Sequence, residues 1–189
     1  MRFLASTAAF FALTFSALAM PPVPRKSPEF TVTDASGKQI LFSSFKGKVL
    51  GVPFMFTTCP HCQNEAKMLT RLQKELGPGV AMLGVAFNDG VNPAVLNQFV
   101  SEFGIGFPVG SATRDAVTSY LGLSVMDRWV VPQIAILDKK GNVVAQSAPG
   151  GTVELQEEGS LRTLITKLLK EGAATSSAAP AKKASAKAN

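Results

Sequence analysis

Residues 57–65, TTCPHCQNE, contain both cysteines and the only histidine of the 189-residue chain. Two cysteines at this spacing can form a reversible disulfide, bind a metal or close a structural bridge. A structural zinc site needs four ligands, so this set would have to recruit a carboxylate. A structural disulfide that closes so short a loop removes little chain entropy. The pattern therefore favours reversible thiol-disulfide chemistry at Cys59 and Cys62, with no resident metal or cofactor.

The elements on either side of this motif are predicted to activate Cys59. Residues 48–56, KVLGVPFMF, are almost continuously apolar, which predicts a strand buried on both faces. Apolar residues recur at helical spacing over 62–76, and Pro60 suits a first helical turn. Cys59 then lies at a helix N-terminus, where free amide groups favour a thiolate. We expect Cys59 to attack the substrate and Cys62, one turn later and more shielded, to resolve the mixed disulfide.

Three neighbours of the cysteines are expected to tune the redox couple. His61, with Pro60, can add positive charge or a hydrogen bond to the Cys59 thiolate, which makes the couple more oxidising. Glu65 acts in the opposite sense, because a carboxylate near Cys62 raises thiol pKa values and can pass protons during exchange. A solvated helix residue is the alternative interpretation of Glu65. The direction of electron transfer therefore stays open.

The remaining pattern predicts an α/β fold. A hairpin is expected from strands at 30–32 and 39–41. After the first helix, the sequence predicts a strand at 80–87, a helix at 93–103 capped by Asn92, an extended piece at 107–109, a helix at 112–121, strands at 133–137 and 142–145 around a turn, and a helix at 155–171. This order favours a mixed sheet with helices on both faces.

The two ends of the chain differ in composition from the body. Residues 1–19 have an apolar run and end in Ala17-Leu18-Ala19, which predicts a secretory signal peptide. An uncleaved membrane anchor is the alternative. Residues 20–27 read as a Pro-rich linker, 28–172 as the folded domain and 173–189 as a disordered Ala/Lys/Ser-rich tail. Export, with a periplasmic destination, places the cysteines where disulfides persist.

The net charge of +6 gives little support for nucleic-acid binding. Four of the basic residues, Arg2, Lys182, Lys183 and Lys187, lie in the predicted leader or tail, so the domain is close to neutral. No basic stripe with interleaved aromatic residues is present in the sequence.

The strand entering a CxxC motif, the helix behind it and Val131-Pro132 before a later strand resemble the thioredoxin superfamily. This resemblance implies a thioredoxin-like three-layer sandwich with a mixed central β-sheet, an N-terminal β-hairpin and a helical insert. It also implies that Pro132 is a cis-proline facing the cysteines, where an extended substrate segment can pair with the backbone. Val131 and Trp129 would then contribute to substrate binding, although a rim aromatic without that role is the other interpretation of Trp129.

More narrowly, residues 28–50, PEFTVTDASGKQILFSSFKGKVL, and the spacing Cys59-x-x-Cys62-x-x-Glu65 are similar to the TlpA/ResA group of extracytoplasmic redoxins. The resemblance covers residues 28–172. In that group the carboxylate at the Glu65 position modulates the active cysteines. The implied partners are protein thiols or disulfides, among them cytochrome c or copper-site maturation factors, and a membrane redox partner that recycles the enzyme.

Several positions depart from the family pattern. Thr58 stands where a tryptophan usually precedes the first cysteine, and Pro53 replaces the buried acid of cytoplasmic thioredoxins. The CPHC motif with Val131 before Pro132 is instead similar to DsbA-type oxidants, whose helical insert is much larger. The resemblance thus indicates the reaction class better than its direction.

Two other functions are weighed against the oxidoreductase. A peroxiredoxin-like thiol peroxidase needs a threonine three residues before its reactive cysteine, and Thr57 misses Cys59 by one position. A Sco-like copper metallochaperone has three residues between its cysteines and a distant histidine, whereas this chain has two residues and no second histidine. A periplasmic thiol-disulfide oxidoreductase remains the predicted function.

Overall fold

The computed structural model describes residues 20–124 and 126–176. Its strands are β1 (Arg25–Lys26), β2 (Thr31–Asp34), β3 (Gln39–Leu41), β4 (Val49–Met55), β5 (Val80–Met82), β6 (Gly84–Ala86), β7 (Val109–Ser111), β8 (Gln133–Leu137) and β9 (Asn142–Gln146). Its helices are α1 (Pro60–Leu76), α2 (Pro93–Phe103), α3 (Arg114–Leu121), α4 (Val153–Gln156) and α5 (Glu158–Ser176), with a 3₁₀ helix at Phe42–Phe45. Among the described residues, no helix combines the length and apolar character needed to span a bilayer.

The strands form one mixed sheet with β4 near its centre. Their order is β1-β9-β8-β4-β6-β7-β2-β3, and β5 also pairs with β4. The pairs of β4 with β5 and β6, and of β6 with β7, are parallel, whereas β8 runs antiparallel to β4. The predicted N-terminal hairpin is present as β2 and β3, and Val32 pairs with Ile40 in it.

Alternate residues of β4 face two separate cores, as the two-residue period of a strand requires. Val49 and Met55 pack in one core and Leu50, Val52 and Phe54 in the other. Helices α1, α2 and α5 cover the first face with Leu69, Leu72, Leu96, Phe99, Leu161 and Ile165. Helix α3 and the N-terminal hairpin cover the second with Phe30, Val32, Val117, Tyr120 and Leu121. The predicted mixed sheet with helices on both faces is therefore confirmed.

The predicted strand at 80–87 is wrong in its continuity, because the structure divides it into β5 and β6 at Leu83. The register places this break beside Val52 and Pro53 of β4. Proline has no N–H with which to continue the ladder, so the parallel pairing is interrupted there. The prediction overlooked this effect of Pro53.

Three other boundaries differ from the predicted ones. The extended piece at 107–109 lies two residues early, since β7 is Val109–Ser111. Helix α3 begins only after Thr113, whose hydroxyl caps it by accepting a hydrogen bond from the Ala116 N–H. The final helix is divided at Glu157, whose extended backbone separates α4 from α5.

The segment predicted as a linker, 20–27, packs against the domain. Within it, β1 pairs with β9. Arg25 donates hydrogen bonds to the backbone oxygen of Tyr120, at 3.2 Å, and to Oε1 of Gln146, at 2.6 Å. The hydroxyls of Ser27 and Tyr120 are 2.9 Å apart. These contacts fix the segment along one edge of the sheet.

The predicted signal peptide at 1–19 lies outside the described residues. Of the predicted tail at 173–189, residues 177–189 also lie outside the described residues. Its first residues, 173–176, belong to α5.

Candidate active site

Cys59 lies at the junction between β4 and α1. It is the N-cap residue of α1 and Pro60 begins the helix, as the sequence predicts. The Cys59 N–H donates to the Phe56 oxygen at 3.1 Å, and the Cys59 oxygen accepts from the Gln63 N–H at 3.0 Å. The side chain of Cys59 is partly exposed. This junction therefore presents a sulfur atom at the positive end of a long helix.

Two side chains hold the turn that precedes Cys59. Asn88 Oδ1 accepts hydrogen bonds from the Thr57 N–H at 2.9 Å and from the Thr57 hydroxyl at 3.3 Å. Gln63 Nε2 donates to the Thr57 oxygen at 3.0 Å. Thr57 is thus bound through both its backbone N–H and its backbone oxygen, which fixes the direction in which the chain enters α1.

Cys62 is fully buried one helical turn after Cys59. Burial raises the pKa of the Cys62 thiol far above its ordinary value, and the hydrogen bond with Cys59 raises it further. When Glu65 is ionised, its negative charge adds to this rise. The two cysteines therefore differ in exposure, and Cys62 is held in its protonated form.

Glu65 is buried on α1 one turn beyond Cys62. Neither of its carboxyl oxygens has a hydrogen-bond partner among the described residues. Burial raises the pKa of Glu65 to about 8. The carboxyl group is therefore mostly protonated at neutral pH, yet it can gain or lose a proton near that pH. This burial contradicts the alternative interpretation of Glu65 as a solvated helix residue.

The loop before β8 approaches Cys59 from the other side. The Val131-Pro132 peptide bond is cis, as the family resemblance implies. The Cys59 Sγ atom lies 3.9 Å from the Val131 oxygen. Val131 thus brings a backbone edge to the reactive sulfur.

A cavity of about 690 Å³ lies between α1 and the loop before β8, and neither cysteine is part of its lining. Its lining consists of His61, Asn64, Glu65, Met68, Val130, Val131, Pro132, Gly150, Gln156 and Glu158. His61 is exposed at its surface. Glu158 is paired with Arg71 and Arg162, at 2.8 and 2.9 Å, so its charge is neutralised. The predicted site residues His61, Glu65, Val131 and Pro132 therefore meet in one space.

Trp129 is absent from that lining. Its ring packs 5.8 Å from Phe87 and 6.5 Å from Phe56, centroid to centroid, and the Arg114 guanidinium lies 5.7 Å from it. Trp129 is thus a half-buried member of an aromatic group beside the turn that precedes Cys59.

The sequence prediction missed Asn88 and Gln133. The Gln133 side chain is completely buried and donates to the backbone oxygens of Val130 and Pro149. A signal was present, because Gln133 is a polar residue at the start of the otherwise apolar strand QIAIL.

Within the described ranges, no three His, Cys, Asp or Glu side chains are grouped as a metal site would require.

Comparison with known proteins identifies relatives of this site and fold. The family model of the AhpC/TSA family matches residues 23–146. The thiol-disulfide oxidoreductase ResA of Bacillus anthracis is 31% identical over 145 residues, which are 75% of this chain and 78% of that protein.

Solved structures share the fold at lower identity. A thiol:disulfide interchange protein of the thioredoxin family from Chlorobium tepidum has a TM-score of 0.63 and 24% identity, with 79% of this chain and 99% of that chain covered. A secreted disulfide oxidoreductase of Mycobacterium tuberculosis has a TM-score of 0.55 and 19% identity, with 73% and 95% covered. With its two cysteines at the start of α1, the chain belongs to the AhpC/TSA family of thioredoxin-like proteins, as a thiol-disulfide oxidoreductase of the TlpA/ResA type.

Proposed function

We propose that this enzyme is exported to the periplasm and reduces disulfides in protein substrates. The Cys59 thiolate attacks one sulfur of a substrate disulfide, breaks that bond and forms a mixed disulfide, and the released substrate thiolate takes up a proton. Cys62 then loses its proton and attacks the Cys59 sulfur. The second substrate thiol leaves, and two electrons have passed from the enzyme, which now carries the Cys59-Cys62 disulfide.

The burial of Cys62 beside Glu65 is the observation that carries this direction, because it disfavours the thiolate of the reduced enzyme and so makes the cysteine pair more reducing. Cys62 must lose a proton when it resolves the mixed disulfide, although its burial opposes the thiolate. Glu65 has a pKa of about 8, close to the range in which a general base for a thiol is effective. Proton transfer between Cys62 and Glu65 is therefore proposed to speed the step that resolves the mixed disulfide, whereas the direction rests on the raised pKa of Cys62.

The substrate is proposed to bind along Val131 and Pro132. An extended segment can pair with the Val131 backbone as an added strand, which brings its disulfide to Cys59. Pro60 and His61 follow Cys59 directly at the start of α1 and are proposed to tune the reactivity of its sulfur. Trp129, outside the cavity, is proposed to report the redox state by fluorescence and to contact substrate only beyond the cavity rim.

The proposed location and partners follow from the sequence. The signal-like residues 1–19 support export, as does the similarity to a secreted M. tuberculosis oxidoreductase. Cytochrome c or copper-site maturation factors are proposed substrates, and a membrane partner is needed to return the enzyme to its dithiol form. N-terminal sequencing of the exported protein tests whether residues 1–19 are removed. Cleavage leaves Met20 as the first residue, whereas an anchor leaves the leader attached.

The reduction potential of the Cys59-Cys62 pair tests the direction. Equilibration with dithiothreitol or glutathione buffers, followed by thiol labelling, measures it. A reductant is expected near the potential of thioredoxin, about −270 mV. A potential near that of DsbA, about −120 mV, would contradict the reducing role and favour a disulfide donor.

A further inference from the structure

The backbone of Val131 has an unused donor beside the reactive cysteine. Among the described residues, the Val131 N–H has no hydrogen-bond partner. Its oxygen faces Cys59 Sγ at 3.9 Å, a weak contact at most. Pro132 follows and has no N–H of its own. A substrate strand that pairs here needs both Val131 groups to point in fixed directions.

The side chain of Gln133 holds this loop from the protein interior. Gln133 is completely buried. Its Nε2 donates to the Val130 oxygen at 2.8 Å and to the Pro149 oxygen at 3.1 Å. The Pro149 oxygen also accepts from the Val130 N–H at 2.9 Å. Together these three hydrogen bonds connect the loop before β8, the first residue of β8 and the loop after β9, immediately below the free edge of Val131.

These contacts need an uncharged side chain with two donors on one nitrogen. An amide provides both, and each is used by a different backbone oxygen. The other end of the amide, Oε1, is buried without a partner among the described residues. An apolar residue would complete the strand QIAIL without that unmet acceptor, so packing alone does not account for Gln133.

We propose that Gln133 is a positioning residue, which holds the Val131 edge in the orientation that pairs with the substrate backbone. This inference rests on the proposed binding of substrate along Val131. Gln133 acts only through Val130 and Pro149 and does not touch the reacting sulfur atoms. Its loss is therefore expected to affect extended substrates and to spare small disulfides.

The test compares two chromogenic disulfides with the full-length enzyme. One is a seven-residue peptide whose single cysteine is linked to thionitrobenzoate, and the other is the small reagent dithiobis(nitrobenzoate). Attack of Cys59 on the peptide sulfur breaks the S–S bond and releases the coloured thiolate. A series of peptides with one backbone nitrogen methylated, at successive positions around the cysteine, measures how much each substrate N–H contributes.

For the wild-type enzyme, methylation at one position is expected to slow the peptide reaction about tenfold, the effect of losing one hydrogen bond. In Gln133→Met, which keeps the length without donors, this ratio should fall to about one. The rate with the small reagent should change less than about twofold. A methylation ratio that stays near ten in Gln133→Met would overturn the inference.

Ser147→Ala is the matched control. Ser147 is also completely buried, and its hydroxyl accepts from the N–H of Ile134, the next residue of β8, at 3.0 Å. Ser147→Ala should lower the free energy of unfolding but keep the tenfold ratio. If Gln133→Met fails to fold, Gln133→Asn keeps the amide one methylene shorter and should give an intermediate ratio. A wild-type ratio of one at every position would refute the proposed strand pairing itself, whatever the variants do.

Discussion

Glu65 follows Cys62 by one turn on α1, and both residues are buried on the same side of the helix. Neither oxygen of the carboxyl has a partner among the described residues. An unpaired buried carboxyl destabilises the fold when it is charged. This carboxyl lies beside a thiol that must lose a proton. Its position therefore supports a role in proton transfer, and its lack of partners argues against a role in stability.

Glu65→Gln should change how stability depends on pH. Burial raises the folded-state pKa of Glu65 to about 8 from an ordinary 4.5. Between these values the unfolded chain releases a proton that the folded protein keeps, so the wild-type free energy of unfolding falls as pH rises. The fall is at most about 1.4 kcal/mol per pH unit, and it ends above pH 8.

Urea unfolding at pH 5, 6.5 and 8 measures this effect. Because glutamine does not titrate, Glu65→Gln should gain stability relative to the wild type as pH rises across the window. Glu154→Gln, at an exposed position of α4, should follow the wild-type curve. Parallel curves for Glu65→Gln and the wild type would show that the carboxyl is not held protonated.

Cys62→Ser should trap substrates on Cys59. The reactive sulfur remains partly exposed in this variant, but the buried resolving thiol is gone. Mixed disulfides should then accumulate and be identified by non-reducing electrophoresis and mass spectrometry of extracts from cells that produce the variant. Cys59→Ser is the control and should trap little, because Cys62 is fully buried. Equal trapping by both variants would argue against the assigned roles of attack and resolution.

Asn88→Ala should loosen the turn in front of Cys59. The substitution removes the acceptor used by both the N–H and the hydroxyl of Thr57. Leaving a buried N–H unpaired costs about 1–3 kcal/mol, so chemical unfolding should show a loss of that size. Thr57→Val removes only the longer of the two hydrogen bonds and should cost less. A loss in Thr57→Val that equals the loss in Asn88→Ala would mean that the backbone contact contributes little.

Arg25→Ala should show that the N-terminal segment is part of the folded domain. It removes the hydrogen bonds to Tyr120 and Gln146, and we expect a loss of about 1–2 kcal/mol in the free energy of unfolding. Lys26→Ala, the exposed neighbour in β1, should change it by less than about 0.5 kcal/mol. Indistinguishable unfolding curves for these two variants would indicate that β1 is not docked in solution.

Local patterns predict the reactive end of α1 well. Cys59, Pro60 and the apolar spacing of the helix lie within a few residues of one another, so the strand-to-helix junction can be derived from neighbouring sequence. The burial of Glu65 is harder to predict from the sequence, because helical spacing alone does not say which side of α1 faces the sheet. The family resemblance implied a role for Glu65 beside the cysteines, but it did not predict the burial of its side chain.

Contacts between distant segments explain what the sequence did not reveal. Thr57 and Asn88 are 31 positions apart, and Gln133 and Pro149 are 16 apart. Nothing in the local pattern brings such residues together. The same reason applies to β1, where three prolines before Arg25 resemble a linker until β9 provides a partner strand. It also applies to Trp129, because only the three-dimensional packing determines on which side of its loop the side chain lies.

The docking of β1 on β9 also limits the pairing of this sheet edge with other chains. An exposed sheet edge offers unpaired amide and carbonyl groups to other chains and invites aggregation. Here β1 covers β9 with only two residues, both basic, directly after Pro24. At the opposite edge, β3 has three residues and follows Lys38. Both edge strands of the sheet are therefore short and flanked by charged residues or proline. Few unpaired backbone groups are left for edge-to-edge pairing with another chain while the protein folds.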